Sequence, residues 1–449
     1  MNGGQLIISS ERVVTPTGIR PASVHVADGT IVAVDAPRRT GTEVVDVGSL
    51  VVMPGIVDSH VHVNDPGRTE WEGFDSAGRS AAAGGVTTLL DMPLNSTPVT
   101  TSVFALETKV AAAQGRCRVD FGLWGGIVPG NSAQIEAMLD AGALACKCFL
   151  SHSGIDDFPP VTEADLRIAM PILAGCSASL LAHAELPGLI RPADPEADPK
   201  DYATFLATRP REAELEAISL LIRLSAETGC PVHIVHVSAA NALPLIAEAR
   251  RSGTPITAET CPHYLTLAAE DVPRGGTHFK CAPPIRERAN REGLWSGLAG
   301  GSLDLIASDH SPCPPDLKAL ESGSFADAWG GISSLQLSLR VTWTEAARRG
   351  YDLHHIVRWM CEGPARLAGL AHKKGRLAEG YDADLVIFDP DTEARVDAGK
   401  LFHRHPLTPY EGSRLRGTVV ATYVRGVLVF DRGAFPEVCP GRWLKRGEA

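Results

Sequence analysis

The sequence predicts an α/β protein: a (β/α)8 barrel of the TIM type over residues 54–370, with a small β-sandwich domain assembled from residues 1–53 and 371–449. Three observations lead there. Apolar runs of strand length recur through the middle of the chain, each followed by a helical stretch or a long loop. Short alternating β-runs broken by turns occupy both ends. The middle runs also end in polar or titratable residues, which a barrel gathers around one mouth. The alternative, an open doubly wound sheet, spreads such ends along a crevice.

In chain order, the first β-runs are Leu6-Ile7-Ile8, Arg12-Val13-Val14, Ala22-Ser23-Val24-His25-Val26, Thr30-Ile31-Val32-Ala33-Val34 and Val44-Val45-Asp46-Val47. Asp28-Gly29 between two of them is a hairpin signal. The barrel strands are expected over 56–62, 86–91, 119–125, 145–150, 180–185, 232–238, 256–263 and 304–309. Among the helices between them, 212–228 carries Leu215, Ile218 and Ile222 along one stripe and stops at Gly229. The helix over 162–173 opens on Thr162, a capping residue. The β-texture returns in 383–388 and 417–424, and Arg425-Gly426 leads into Val427-Leu428-Val429-Phe430.

Composition bounds the function. With 44% hydrophobic and 21% charged residues the chain is an ordinary globular sequence, long enough at 449 residues for a large core and a smaller unit. A net charge of -11 supplies no basic patch for nucleic acid and no attraction to anionic lipid. No apolar run is long enough to span a bilayer, and residues 1–8 lack a charged segment followed by an apolar one. The ten cysteines are scattered through strands and helices, as in a reduced, cytoplasmic protein.

The chemistry is read from the strand ends. His60 and His62 stand two residues apart on one strand, so both imidazoles reach one point, as a metal site requires. The other ends supply Lys147, His183, His236 and Asp309. Each has a plain reading: His183 as a core histidine, Asp309 as a helix cap, and His233 as ligand or spectator beside His236. Lys147 lies in the apolar run Ala145-Cys146-Lys147-Cys148-Phe149-Leu150, where a protonated ammonium is costly. Burial lowers its pKa. A neutral amine beside divalent cations can add carbon dioxide, and the carbamate so formed could bridge two metals. The plain alternative is a lysine that snorkels to solvent.

The motifs resemble those of the cyclic amidohydrolases, related to dihydroorotase and hydantoinase, and among them the allantoinase branch. General marks are His60-Val61-His62, Gly84-Gly85-Val86-Thr87-Thr88, Lys147, His183-Ala184-Glu185, His236-Val237-Ser238, Glu259-Thr260-Cys261-Pro262-His263-Tyr264 and Ala307-Ser308-Asp309-His310. Narrower marks run from Asn64 to Phe74 and from Asp91 to Ser96, with Gly122-Leu123-Trp124-Gly125-Gly126, Lys147 to Gly154, and Ala328-Trp329-Gly330-Gly331.

The resemblance implies hydrolysis of the lactam bond of allantoin to allantoate, in purine catabolism, at a binuclear metal centre. His60, His62 and Asp309 would hold one ion and His183 and His236 the other, with a carboxylated Lys147 bridging. Zinc is the expected metal, with cobalt, manganese or iron as alternatives, and Asp309 the proton carrier. A homotetramer is the implied assembly. Dihydroorotases carry arginine where this chain has Asn64, because a carboxylate substrate wants a bidentate partner. Asn64 therefore argues for a neutral substrate. Asn95, Ser311 and Gly331 are further candidate substrate contacts. Cys313 reads as a packed loop cysteine, and His263 and His310 as residues that orient their neighbours; His403 and His405 carry no assigned role. A hydantoinase or dihydropyrimidinase of relaxed specificity is the competing reading, and a scaffold that has lost the chemistry the third.

Overall fold

The structure, a computed structural model, describes residues 5–35 and 43–448. The reading of the N-terminus rests partly on residues 1–4, outside the described residues.

Five strands open the chain: β1 (Leu6–Thr15), β2 (Gly18–Ala27), β3 (Thr30–Val34), β4 (Glu43–Asp46) and β5 (Val51–Pro54). They join β15 (Leu385–Arg395), β16 (Arg414–Val424) and β17 (Val427–Asp431) from the other end of the chain in one eight-stranded sheet. The two ends meet where β5 pairs antiparallel with β15, Val52 opposite Ile387. Asp28 (φ 52°) and Gly29 (φ 82°) form a hairpin turn between β2 and β3, the positive-φ pair that matches strand twist. Arg425-Gly426 repeats this between β16 and β17. Alternation divides the side chains. Val51, Met53, Val386 and Phe388 enter the main core, while Val52, Leu385 and Ile387 join Ile8, Val24 and Ile31 in a second core belonging to the sheet.

The barrel follows as β6 (Ile56–Val61), β7 (Val86–Asp91), β8 (Asp120–Leu123) with its continuation β9 (Gly125–Gly126), β10 (Cys146–Phe149), β11 (Leu180–His183), β12 (Val232–Ile234), β13 (Ile256–Thr260) and β14 (Leu305–Ile306). All pairings are parallel. The ring closes where Val61 bridges His310 and the His62 amide donates to the His310 carbonyl at 2.8 Å. The open-sheet alternative is thereby excluded.

Helix Glu163–Gly175 starts on a capping box between Thr162 and Asp165. Helix Arg211–Thr228 stops at Gly229, whose φ is 70°. Its buried face centres on Ala217, Ile218, Leu221 and Leu224, and of the expected stripe Ile218 is fully buried while Leu215 and Ile222 are half-buried against the same core. Glu214 is buried on the same helix and accepts from the Ser238 and Ala239 amides.

Barrel and sheet are locked by a buried charge cluster. Lys374 Nζ lies 2.7 Å from Asp120, 2.8 Å from Asp382 and 2.7 Å from Asp384, and Arg425 pairs with Asp120 as well. Removing the lysine strands Asp120 and Asp384, whose carboxylates are buried away from water. Lys374→Met should therefore cost about 3–5 kcal/mol of stability, read by urea unfolding. A loss below about 1 kcal/mol would show that Arg425 alone neutralises the cluster.

Candidate metal centre

The chain's own backbone chemistry aims the site. Regular pairing ends at Ile234 in β12 and Ile306 in β14, before the expected ligands. His236 (φ 38°) and Asp309 (φ 46°) then occupy left-handed backbone, uncommon outside glycine although His and Asp adopt it more readily than most residues. Their side chains are directed by these turns and not by strand alternation.

His60, His62, His183, His236 and Asp309 all reach one cavity of about 680 Å³ at the C-terminal mouth of the barrel. His60 Nε2 and His62 Nε2 each lie 3.4 Å from Asp309 Oδ1. His60 Nδ1 sits 2.6 Å from Glu259 Oε1. A carboxylate only accepts, so Nδ1 carries the proton and Nε2 presents a bare lone pair toward Asp309. Burial disfavours the Glu259 charge, but His60 and His233 outweigh it and hold the carboxyl well below its usual range. The same logic applies to His183. Its Nε2 donates to Glu185 Oε2 at 2.8 Å, leaving the Nδ1 lone pair facing His236 Nε2 at 3.1 Å. Glu185 is itself held by Arg209. The His236 Nδ1 and His62 Nδ1 atoms are buried without a hydrogen-bond partner.

Buried imidazole lone pairs converging with one carboxylate, the outer nitrogens of His60 and His183 fixed by Glu259 and Glu185, form the donor set of a divalent transition metal. These residues fit such an ion. His60, His62 and Asp309 have ligand atoms within 4.8 Å of one another.

Lys147, on β10, is fully buried, with no oxygen acceptor on its ammonium. Nζ meets Met92 Sδ at 4.0 Å and stands 5.0 Å from the Phe149 ring centre. Burial pushes it down to about 8, against the pull of Asp309 and Glu259. The snorkelling alternative is excluded by this burial.

A scan against family descriptions matches the amidohydrolase family over residues 51–429. The chain belongs to that family. Among its relatives, an allantoinase of Streptomyces avermitilis is 49% identical over 99% of this chain and 100% of its own length. An allantoinase of Arabidopsis thaliana is 46% identical over 95% of this chain and 88% of its own. The solved L-hydantoinase (dihydropyrimidinase) from Arthrobacter aurescens superposes with a TM-score of 0.93 at 34% identity, covering 99% and 100% of the two chains.

Within this amidohydrolase, Asn95, Ser311 and Gly331 line the cavity. Asn95 Oδ1 is buried without a partner. Gly331 has φ 137°, and a Cβ there would meet the Ser311 carbonyl at 2.2 Å, so no other residue fits. Asn64 does not line the cavity. It donates from Nδ2 to the Pro312 carbonyl at 3.3 Å, bracing the segment after Asp309. The inference of a neutral substrate from Asn64 therefore has no direct contact behind it. Cys313 is packed at 2% exposure. All ten cysteines are free thiols.

His233 is a spectator, its nitrogens engaged by Thr257 and Glu259. His263 is buried beside Asp309 with neither nitrogen partnered. His310 accepts at Nδ1 from the Ser334 amide and faces Glu72 with Nε2 at 3.2 Å. The C-terminal segment packs His403 5.8 Å from the His310 ring, while His405 Nε2 reaches the Glu70 carbonyl at 2.8 Å. Sequence reading gave no role to Glu259, Glu185, Arg209 or Glu72. The signal for the first two was present: a carboxylate inside an apolar strand, and one two residues beyond a candidate ligand.

Proposed function

We propose that this amidohydrolase is an allantoinase, opening the hydantoin ring of allantoin by hydrolysis of its lactam bond to give allantoate, in purine catabolism. The observation that carries this is similarity to allantoinases over essentially the whole chain, at 49% identity, around a buried His/Asp cluster. The hydantoinase reading draws on the fold likeness to the Arthrobacter aurescens enzyme, at the lower identity of 34%.

We assign two divalent ions, zinc first and cobalt, manganese or iron as alternatives. His60, His62 and Asp309 would hold one, His183 and His236 the other, with Lys147 as a carbamate between them. Such ions polarise the amide carbonyl and lower the pKa of an attacking water toward about 7. The residues do the rest. Glu259 and Glu185 keep His60 and His183 in the tautomer that offers a lone pair inward. Asp309 takes a proton from the attacking water as the C–O bond forms and delivers it to the departing ring nitrogen as the C–N bond then breaks.

Free cysteines favour a reducing, cytoplasmic setting. Among the described residues no helix is long and apolar enough to cross a membrane. We propose a homotetramer, to be read by sedimentation.

A turnover panel of allantoin, hydantoin, dihydrouracil and dihydroorotate, with zinc, cobalt or manganese supplied, tests the assignment. Allantoin should give the highest kcat/KM, with about two metals per chain. Dihydrouracil exceeding allantoin would overturn the substrate, and fewer than about one metal per chain would overturn the centre.

A further inference from the structure

The cavity contains a cation that the reaction outlined above does not use. Lys280, in the loop between β13 and β14, lines the cavity with Cys281 and Ala282. Its ammonium donates to the Ala328 carbonyl at 2.6 Å and the Ala326 carbonyl at 3.3 Å. It stands 5.2 Å from the ring centre of Phe205, another residue of the wall. Among the described residues it has no carboxylate within ion-pair distance. Burial and the nearby Arg209 and Lys318 cations push it down to about 8, against Asp327.

Its neighbour Lys318 makes the contrast. That ammonium also lacks a carboxylate and holds loop carbonyls, those of Trp329 at 3.1 Å and of Gly331. Lys318 is buried, does not line the cavity, and braces the loop at Trp329 and Gly331. Lys280 ties the same loop but reaches the cavity. An ammonium has three N–H donors, and two are taken, so one is left for whatever enters. A partly desolvated cation with an unspent donor is costly in a wall that faces only apolar groups.

We propose that Lys280 is a specificity-determining residue that donates a hydrogen bond to an oxygen on the ring substituent of the substrate, the exocyclic ureido carbonyl. This deepens the allantoinase reading and rests on it. The ring itself must sit at the His/Asp cluster on the strand ends, whereas Lys280 comes from the loop wall, where a substituent projects. An apolar substituent would strip water from the ammonium and return nothing. A carboxylate would also satisfy it, and the test separates the two acceptors.

Lys280→Met keeps chain length and loses the donor. Against the wild type, kcat/KM for allantoin should fall about 30-fold, mostly through KM, the scale of one charged hydrogen bond. Unsubstituted hydantoin should change less than about threefold, and bound metal should not change. Lys280→Leu, which also has no donor, should give the same split if the methionine variant fails to fold. Equal losses on both substrates would overturn the proposal and leave Lys280 a loop brace. Wild-type preference for hydantoin-5-acetic acid over allantoin would overturn it in favour of a carboxylate acceptor. Wild-type failure on allantoin would overturn the allantoinase reading, and the proposal with it, before any variant is made.

Discussion

Lys147→Ala should abolish metal binding and turnover together, and short carboxylic acids should partly restore both. The lysine sits on β10 with no exposure and, among the described residues, no oxygen acceptor; it does not line the cavity but is an electrostatic neighbour of His60, His183 and His236. As an ammonium it would repel divalent ions. As a neutral amine, favoured by burial that brings it down to about 8, it can take up carbon dioxide and present two oxygens. Alanine removes these oxygens and leaves a gap that acetate or propionate can enter. Turnover should fall by about 10³-fold or more, roughly 4 kcal/mol of transition-state stabilisation. Metal analysis of the purified variant, with and without added acid, is the measurement. Full activity in the unsupplemented variant would remove Lys147 from the centre.

Asp309→Asn should lower kcat by about 10²–10⁴-fold with little effect on KM, because an amide cannot carry the proton between water and leaving nitrogen. Asparagine is the right replacement on backbone grounds. Position 309 has φ 46°, and asparagine tolerates the left-handed region far better than most residues. The variant should therefore fold with its loop in place, which a circular-dichroism melt can check. The kcat and KM values decide the role. A kcat within about tenfold of wild type would assign proton transfer elsewhere, with buried and unpartnered His263 the first group to examine.

Much of the fold is written locally. The eight apolar runs, the helix stop at Gly229, the cap at Thr162 and the hairpin at Asp28-Gly29 each depend on a few adjacent residues. The cluster on the strand ends was legible for the same reason: a barrel's topology sends every strand end to one mouth, so order along the chain is enough to bring His60, His62, His183, His236 and Asp309 together. Leu215 and Ile222 lie at the edge of the buried helix face rather than its centre, and hydrophobic spacing gives no sign of a buried carboxylate such as Glu214.

The sequence by itself therefore determined the barrel, the terminal sheet and the identity of the converging side chains. Only the tertiary structure decided which atoms meet. It put protons on His60 Nδ1 and His183 Nε2 by bringing Glu259 and Glu185 to them. It turned His236 and Asp309 through left-handed backbone, moved Asn64 behind the wall and brought Lys280 into it. Strand order is a property of neighbouring residues, whereas a hydrogen bond depends on fractions of an ångström between loops far apart in the chain. Those distances are set by the packed whole.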